Sequence, residues 1–147
     1  MSSKKDLILR VKTSYDKQKC EKIYTTDAGF DVRSIHNCIV RCGDIRLIHT
    51  GLYIDIPVGY EIQVRSRSGL ALKHGVIVLN SPGTIDANYT GECNVILINL
   101  GDEDFIIDEG DRIAQFVLCA VPEYDIQFVT DIKKISRGGG FGHSGVK

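Results

Sequence analysis

An excess of charge of either sign is missing from this 147-residue sequence: 18 Lys and Arg stand against 19 Asp and Glu, a formal net charge of −1. Without a basic surplus the whole-molecule field gives no reason to expect binding along a nucleic-acid backbone, so any anion site must be local. Long apolar runs are missing too. The longest, such as Val95 to Ile98, fall far short of the ~20 residues that a bilayer span needs, so no membrane role and a soluble protein are expected. The opening segment from Met1 to Val11 has no stretch resembling a signal peptide, and the cysteines (Cys20, Cys38, Cys42, Cys93 and Cys119) are odd in number. Both observations favour a reducing cytoplasm over a disulfide framework. Cys38 and Cys42 have the spacing of half a zinc site, but no second Cys pair or nearby His pair completes four ligands. Also absent are an internal repeat, an interdomain linker and any long amphipathic helical pattern. One domain over 1–147 is expected, large enough to bury a core without disulfides or a structural metal.

What is present is alternation. Leu52, Ile54 and Ile56 alternate with Tyr53, Asp55 and Pro57, and Ile62 and Val64 with Glu61, Gln63 and Arg65, the period of half-buried strands. Turn residues punctuate these runs at Cys42-Gly43-Asp44, Pro57-Val58-Gly59, Ser81-Pro82-Gly83, Leu100-Gly101-Asp102 and Glu109-Gly110-Asp111. Many short strands so divided predict an all-β sandwich or barrel. One short helix is expected near Ser68 to Lys73, where Leu70, Ala71 and Leu72 are good helix formers. A β core to about residue 135 is followed by a Gly-rich arm from about 136 to 147, which lacks the apolar surface to anchor itself.

Four segments are more polar and Gly-rich than a sheet requires. Arg65-Ser66-Arg67-Ser68-Gly69 offers guanidiniums, a hydroxyl and free amides at the expected helix start, an anion cradle; it also reads as a solvated turn with Ser68 as the cap. The stretch from Asn80 to Gly91, leading into Val95 to Ile98, suits a hairpin with Asp86 at its edge, or an ordinary long turn. In Gly110-Asp111-Arg112-Ile113-Ala114-Gln115 the polar residues also suit a surface turn and a strand end. Arg137, Phe141 and His143 suit a lid that stacks a ring on a base and brings a cation to phosphate, or a disordered end.

In this order, the segments resemble the motif set of the trimeric dUTP diphosphatase (dUTPase) family across nearly the whole chain. Asp27-Ala-Gly-Phe-Asp31-Val resembles the first motif, Arg67-Ser-Gly-Leu-Ala the second and Gly83-Thr-Ile-Asp-Ala-Asn-Tyr with Gly91 the third. Gly-Asp-Arg-Ile-Ala-Gln115 is similar to the fourth and Gly139-Gly-Phe-Gly-His-Ser-Gly145 to the fifth. Ser66 stands where the family usually has proline, Thr90 where it commonly has arginine, and Arg137 lies one residue closer to Gly-Phe-Gly than is usual.

The resemblance implies a jelly-roll β-sandwich, a homotrimer with shared active sites, and a C-terminal arm that closes on substrate. It implies hydrolysis of dUTP to dUMP and pyrophosphate, which limits uracil incorporation into DNA and supplies dUMP for thymidylate synthesis. Mg²⁺ would be held through the substrate phosphates rather than by protein ligands. By position in the motifs, Asp86 would activate the attacking water and Tyr89 would lie against the deoxyribose and exclude a 2′-hydroxyl. Asn80 and the backbone of Gly83, Thr84, Ile85 and Asn94 would read uracil. Arg67, Ser68 and Gly69 would bind phosphate, and Gln115 would contact the phosphate chain or the metal's water shell. Arg137 would reach the terminal phosphate, Phe141 would stack on uracil, and Gly142, His143 and Ser144 would close over the chain. Asp31 and Arg112 would support the site by charge pairing. Two rival readings fit the same residues: a deoxycytidine-nucleotide deaminase of related architecture, and a catalytically idle nucleotide or protein binder.

Overall fold

The computed structural model describes residues 7–134, 138–142 and 144–146. Among these residues eleven strands and one helix follow in the order β1 (Arg10–Lys12), β2 (Phe30–Arg33), β3 (Cys38–Val40), β4 (Ile45–Ile48), β5 (Tyr53–Asp55), β6 (Tyr60–Arg65), α1 (Ser68–His74), β7 (Val76–Val78), β8 (Gly83–Asp86), β9 (Val95–Asn99), β10 (Phe105–Ile107) and β11 (Arg112–Ala120). All pairings are antiparallel. A four-stranded sheet runs β2-β11-β6-β8 and a three-stranded sheet runs β4-β9-β7, with the two-stranded pairs β1-β5 and β10-β3 beside them. This is the mostly-β class that the strand pattern predicts and the jelly roll that the family resemblance implies.

Alternation decides which side chains form the core. Ile62 and Val64 of β6 are buried while Glu61, Gln63 and Arg65 are half-buried, and Val95 and Leu97 of β9 are buried while Ile96 and Ile98 are half-buried. The inward faces of the two larger sheets join Leu52, Ile54 and Ile107 in one apolar cluster. Burial of this apolar area is the main drive to fold. Among the expected turn glycines, Gly43, Gly59 and Gly110 have positive φ, as tight turns favour.

Buried polar side chains bind loops to this core. Asn99, fully buried, donates from Nδ2 to the carbonyls of Val40 and Glu103 at 2.8 Å each and accepts from the Gly101 N–H at 2.9 Å. Asn99→Ala leaves three backbone groups without these partners and is expected to cost about 2–4 kcal/mol. A thermal melt should show a midpoint roughly 5–10 °C lower; an unchanged midpoint would mean that water replaces the amide at no cost.

The segment from Asn80 to Gly91 passes from β7 in one sheet to β8 in the other, and turns back at 86–89, where the Tyr89 N–H donates to the Asp86 carbonyl. β8 pairs with β6, and β9 pairs with β4 and β7. Among the described residues the last strand ends at Ala120, and residues 121–134 carry no strand and are exposed throughout.

Candidate active site

The helix α1 begins where β6 delivers the chain to Arg67. Its N-cap is Arg67 in extended conformation with no side-chain cap, which replaces the expectation that Ser68 caps the helix. The first turn holds no acidic residue, and Lys73 and His74 occupy the last turn, so the charge pattern complements the dipole only at the C-terminal end. The first amides of a helix have no intrahelical acceptor; here neither a cap nor a carboxylate in the first turn answers them. α1 ends at Gly75, whose N–H closes the last turn on the Ala71 carbonyl and whose left-handed φ of 66° then turns the chain out of the helix. Ser66 ties this segment to β7, its hydroxyl accepting from the Val78 N–H at 2.9 Å. A proline at 66 would carry no such acceptor.

Beside the helix start, Asp31 of β2 lies between two guanidiniums. Its Oδ1 is 3.6 Å from Arg67 Nε and its Oδ2 is 3.4 Å from Arg112 Nη1. Arg67 Nη1 also donates to the Arg112 carbonyl at 3.0 Å. Asp31, Ser66, Arg67, Ser68, Gly69 and Gln115 line one recess, and Asp31, Arg112 and Gln115 line a second that adjoins it. Two guanidiniums share this one carboxylate, so Asp31 neutralises them only in part.

A β-bulge makes this gathering possible. β11 pairs with β2 in the register Arg112↔Arg33, Ala114↔Val32 and Gln115↔Asp31, with a shift between Arg112 and Ala114. In a regular strand, residues three apart face opposite sides. The extra residue, with Ile113 and Ala114 both buried, returns Arg112 and Gln115 to the side of Asp31. The spacing of the fourth motif is thus the spacing of a bulge, which alternation alone did not reveal.

The second group of sequence-predicted residues is carried by β8 and the loops on either side of it. In the β6–β8 ladder, Val64 pairs with Gly83, Gln63 with Thr84, Ile62 with Ile85 and Glu61 with Asp86. Asp86 is exposed and, being opposite Glu61, shares its level with a second carboxylate. The Asn80 amide sits by Gly83, where an added Cβ would come within 3.1 Å of Nδ2. Past Asp86 the chain turns, with the Tyr89 N–H donating to the Asp86 carbonyl at 3.1 Å, and the Tyr89 hydroxyl donates to the Glu92 carbonyl at 2.9 Å. A side chain at Gly91 would strike the Tyr89 ring, its Cβ 2.5 Å from the hydroxyl oxygen. Asn94 is half-buried, and its side-chain oxygen is buried with no hydrogen-bond donor among the described residues.

Within one chain this second group starts next to the recess, with Gly83 at the Val64 level beside the Arg65–Gln115 pair, but Asp86 lies apart from it. Four residue steps of β6 separate the Glu61–Asp86 level from the Arg65–Gln115 level, roughly 13 Å of strand. The described arm residues, 138–142 and 144–146, include Phe141, Gly142 and Ser144, all exposed, with Phe141 at a positive φ of 49°. Arg137 and His143 lie outside the described residues. Sequence reasoning missed His49 and Glu92, which meet behind Tyr89 at 3.0 Å; 43 residues apart in the chain, they form no local pattern.

A family model described as dUTPase matches residues 16–145. The chain belongs to the dUTPase family. Among curated dUTPases, a deoxyuridine 5′-triphosphate nucleotidohydrolase of Desulfotalea psychrophila is 55% identical over 122 residues, covering 81% of each chain. That of Chlamydia muridarum is 56% identical over 122 residues, covering 80% of this chain and 84% of its own. Among solved dUTPases, a mutant enzyme of Staphylococcus bacteriophage 80alpha with dUpNHpp superposes with a TM-score of 0.85 at 25% identity, covering 95% of this chain and 99% of its own. A mutant phage phi11 dUTPase of S. aureus, which coordinates a structural Mg(II) ion, superposes at 0.78 with 23% identity over 86% of this chain and 99% of its own.

Proposed function

We propose that this chain hydrolyses dUTP to dUMP and pyrophosphate. The observation that carries the reading is the recess at the start of α1, where Arg67 and Arg112 flank Asp31 and the first turn is uncapped. Such a site takes a polyanion, and Arg67, Ser68 and Gly69 would hold phosphate oxygens. Water would attack the α-phosphorus in line, with Asp86 orienting it and accepting its proton and pyrophosphate leaving. Gly83, Thr84, Ile85, Asn80 and the Asn94 backbone would read the uracil edge, and Tyr89 would wall the deoxyribose. Arg137, Phe141, Gly142, His143 and Ser144 would close over the bound nucleotide.

Magnesium enters this reading as part of the substrate. The half-buried Gln115 amide lines the recess, a neutral donor that suits an ion keeping its waters and bound through phosphates. Its chemistry would be to neutralise phosphate charge; Gln115 would orient its water shell.

The reading includes a homotrimer with shared sites, which the distance of Asp86 from the recess and the exposed segment 121–134 support. There Tyr124, Ile126 and Phe128 are exposed and alternate with Asp125 and Gln127, a strand pattern without a sheet. Apolar surface of this kind calls for a partner, and a second copy supplies both the cover and the missing half of each site. The described cysteines are all free, which suits a cytoplasmic location. Among the described residues no helix is long and apolar enough to cross a membrane.

The test is to incubate the protein with dUTP, dCTP, dTTP and UTP plus Mg²⁺ and measure pyrophosphate and ammonia. Pyrophosphate from dUTP alone is expected. Ammonia from dCTP would instead indicate a deaminase, and no product at all an idle binder.

A further inference from the structure

The turn that carries Tyr89 is held from behind by residues outside the five motifs. The Tyr89 hydroxyl is bonded to the Glu92 carbonyl and its ring leans on Gly91, so the ring can be no better placed than the backbone at 91–92. That backbone is clamped to the β4–β5 connection. The Glu92 carboxylate accepts from the Gly51 N–H at 2.9 Å through Oε1 and meets His49 Nδ1 at 3.0 Å through Oε2. Next to it, the Thr50 hydroxyl donates to the Cys93 carbonyl at 2.6 Å, and the Cys93 N–H donates to the Leu52 carbonyl at 2.7 Å.

The charged and polar surroundings favour this clamp. Lys12 of β1, His36, His49, Tyr53 and Glu92 line one recess, and the His36 ring centroid lies 6.0 Å from that of His49. Burial raises the Glu92 carboxyl, but hydrogen bonds from His49, Gly51 and Asn94 and the His49 charge together hold it below the ordinary carboxylate value. The carboxylate therefore stays ionised at neutral pH and keeps both bonds.

We propose that Glu92 and His49 are positioning residues for sugar discrimination: by anchoring the 91–92 backbone they fix the Tyr89 ring where a 2′-hydroxyl cannot fit. The proposal rests on the reading of Tyr89 as the wall of the deoxyribose site. A wall rejects one added hydroxyl only as well as it resists displacement, and a shift of about 1 Å in such a group changes rates by up to about 10²-fold. Neither residue need touch the nucleotide.

The test compares kcat/KM for dUTP and for UTP in Glu92→Ala, Glu92→Gln, His49→Ala and Tyr89→Ala, each with a thermal melt. Glu92→Ala is expected to lower the dUTP-to-UTP preference roughly tenfold and His49→Ala roughly threefold, through loss of hydrogen bonds that hold the wall. Glu92→Gln should recover most of the preference, because its amide oxygen still accepts from Gly51. If Glu92→Ala does not fold, His49→Ala decides alone, since its side chain is 46% exposed. A purely structural role would reduce both substrates equally. If Tyr89→Ala collapses the preference while Glu92→Ala and His49→Ala retain it, the positioning role is overturned and the reading of Tyr89 stands. If Tyr89→Ala itself leaves the preference unchanged, both fall.

Discussion

Asp86→Asn is expected to lower kcat for dUTP by about 10²–10⁴-fold, the usual contribution of a positioned base, while KM moves by less than about threefold. The substitution is nearly isosteric and leaves the backbone hydrogen bond from the Tyr89 N–H to the residue 86 carbonyl in place. Uracil and sugar contacts therefore persist, and what disappears is the anionic oxygen that takes the proton. Folding should not suffer, because Asp86 is exposed and its ladder partner is another carboxylate, Glu61; like charges across a ladder oppose each other. Steady-state pyrophosphate release and a melt check both parts. Turnover equal to the parent's would remove Asp86 from the mechanism.

Mixing two dead variants is expected to restore activity. Arg67→Ala loses a phosphate ligand and Asp86→Asn the base, so each alone should be nearly inactive. If a site takes Asp86 from one copy and Arg67 from another, unfolding and refolding an equal mixture gives intact sites by chance. With random assortment in a cyclic homo-oligomer, about one quarter of sites combine both intact residues, so about one quarter of parental activity is expected. A site completed within one chain would give no gain. Roughly 13 Å of β6 lies between the two levels, which is the reason to expect the gain.

Much of the fold was legible because burial imposes a period of two. The alternation through Leu52–Ile56 and Ile62–Val64 and the turn residues at Gly43, Gly59 and Gly110 each reflect local physics that sequence carries directly. α1 was placed to within one residue at its C-terminal end, where Gly75 stops it. Pairing was not legible. β8 joins β6 and β9 joins β4 and β7, because sheet partners are chosen by packing over the whole domain rather than by proximity along the chain. The site was legible as motifs, which identify residues but not their neighbours. That Asp31 lies between Arg67 and Arg112, or that Glu92 joins His49 and Gly51, depends on elements distant in the chain.

The bulge in β11 has a consequence for how this segment can vary. An ordinary strand is forgiving of which residue fills an outward position, since any polar side chain can face water. Between Arg112 and Gln115, however, the facing of two functional groups depends on how many residues intervene, not only on which. Inserting or deleting a single residue there would preserve every reactive group and still turn one away from Asp31. Descent with modification should therefore leave the length of this stretch nearly frozen, while the identities of its exposed neighbours drift.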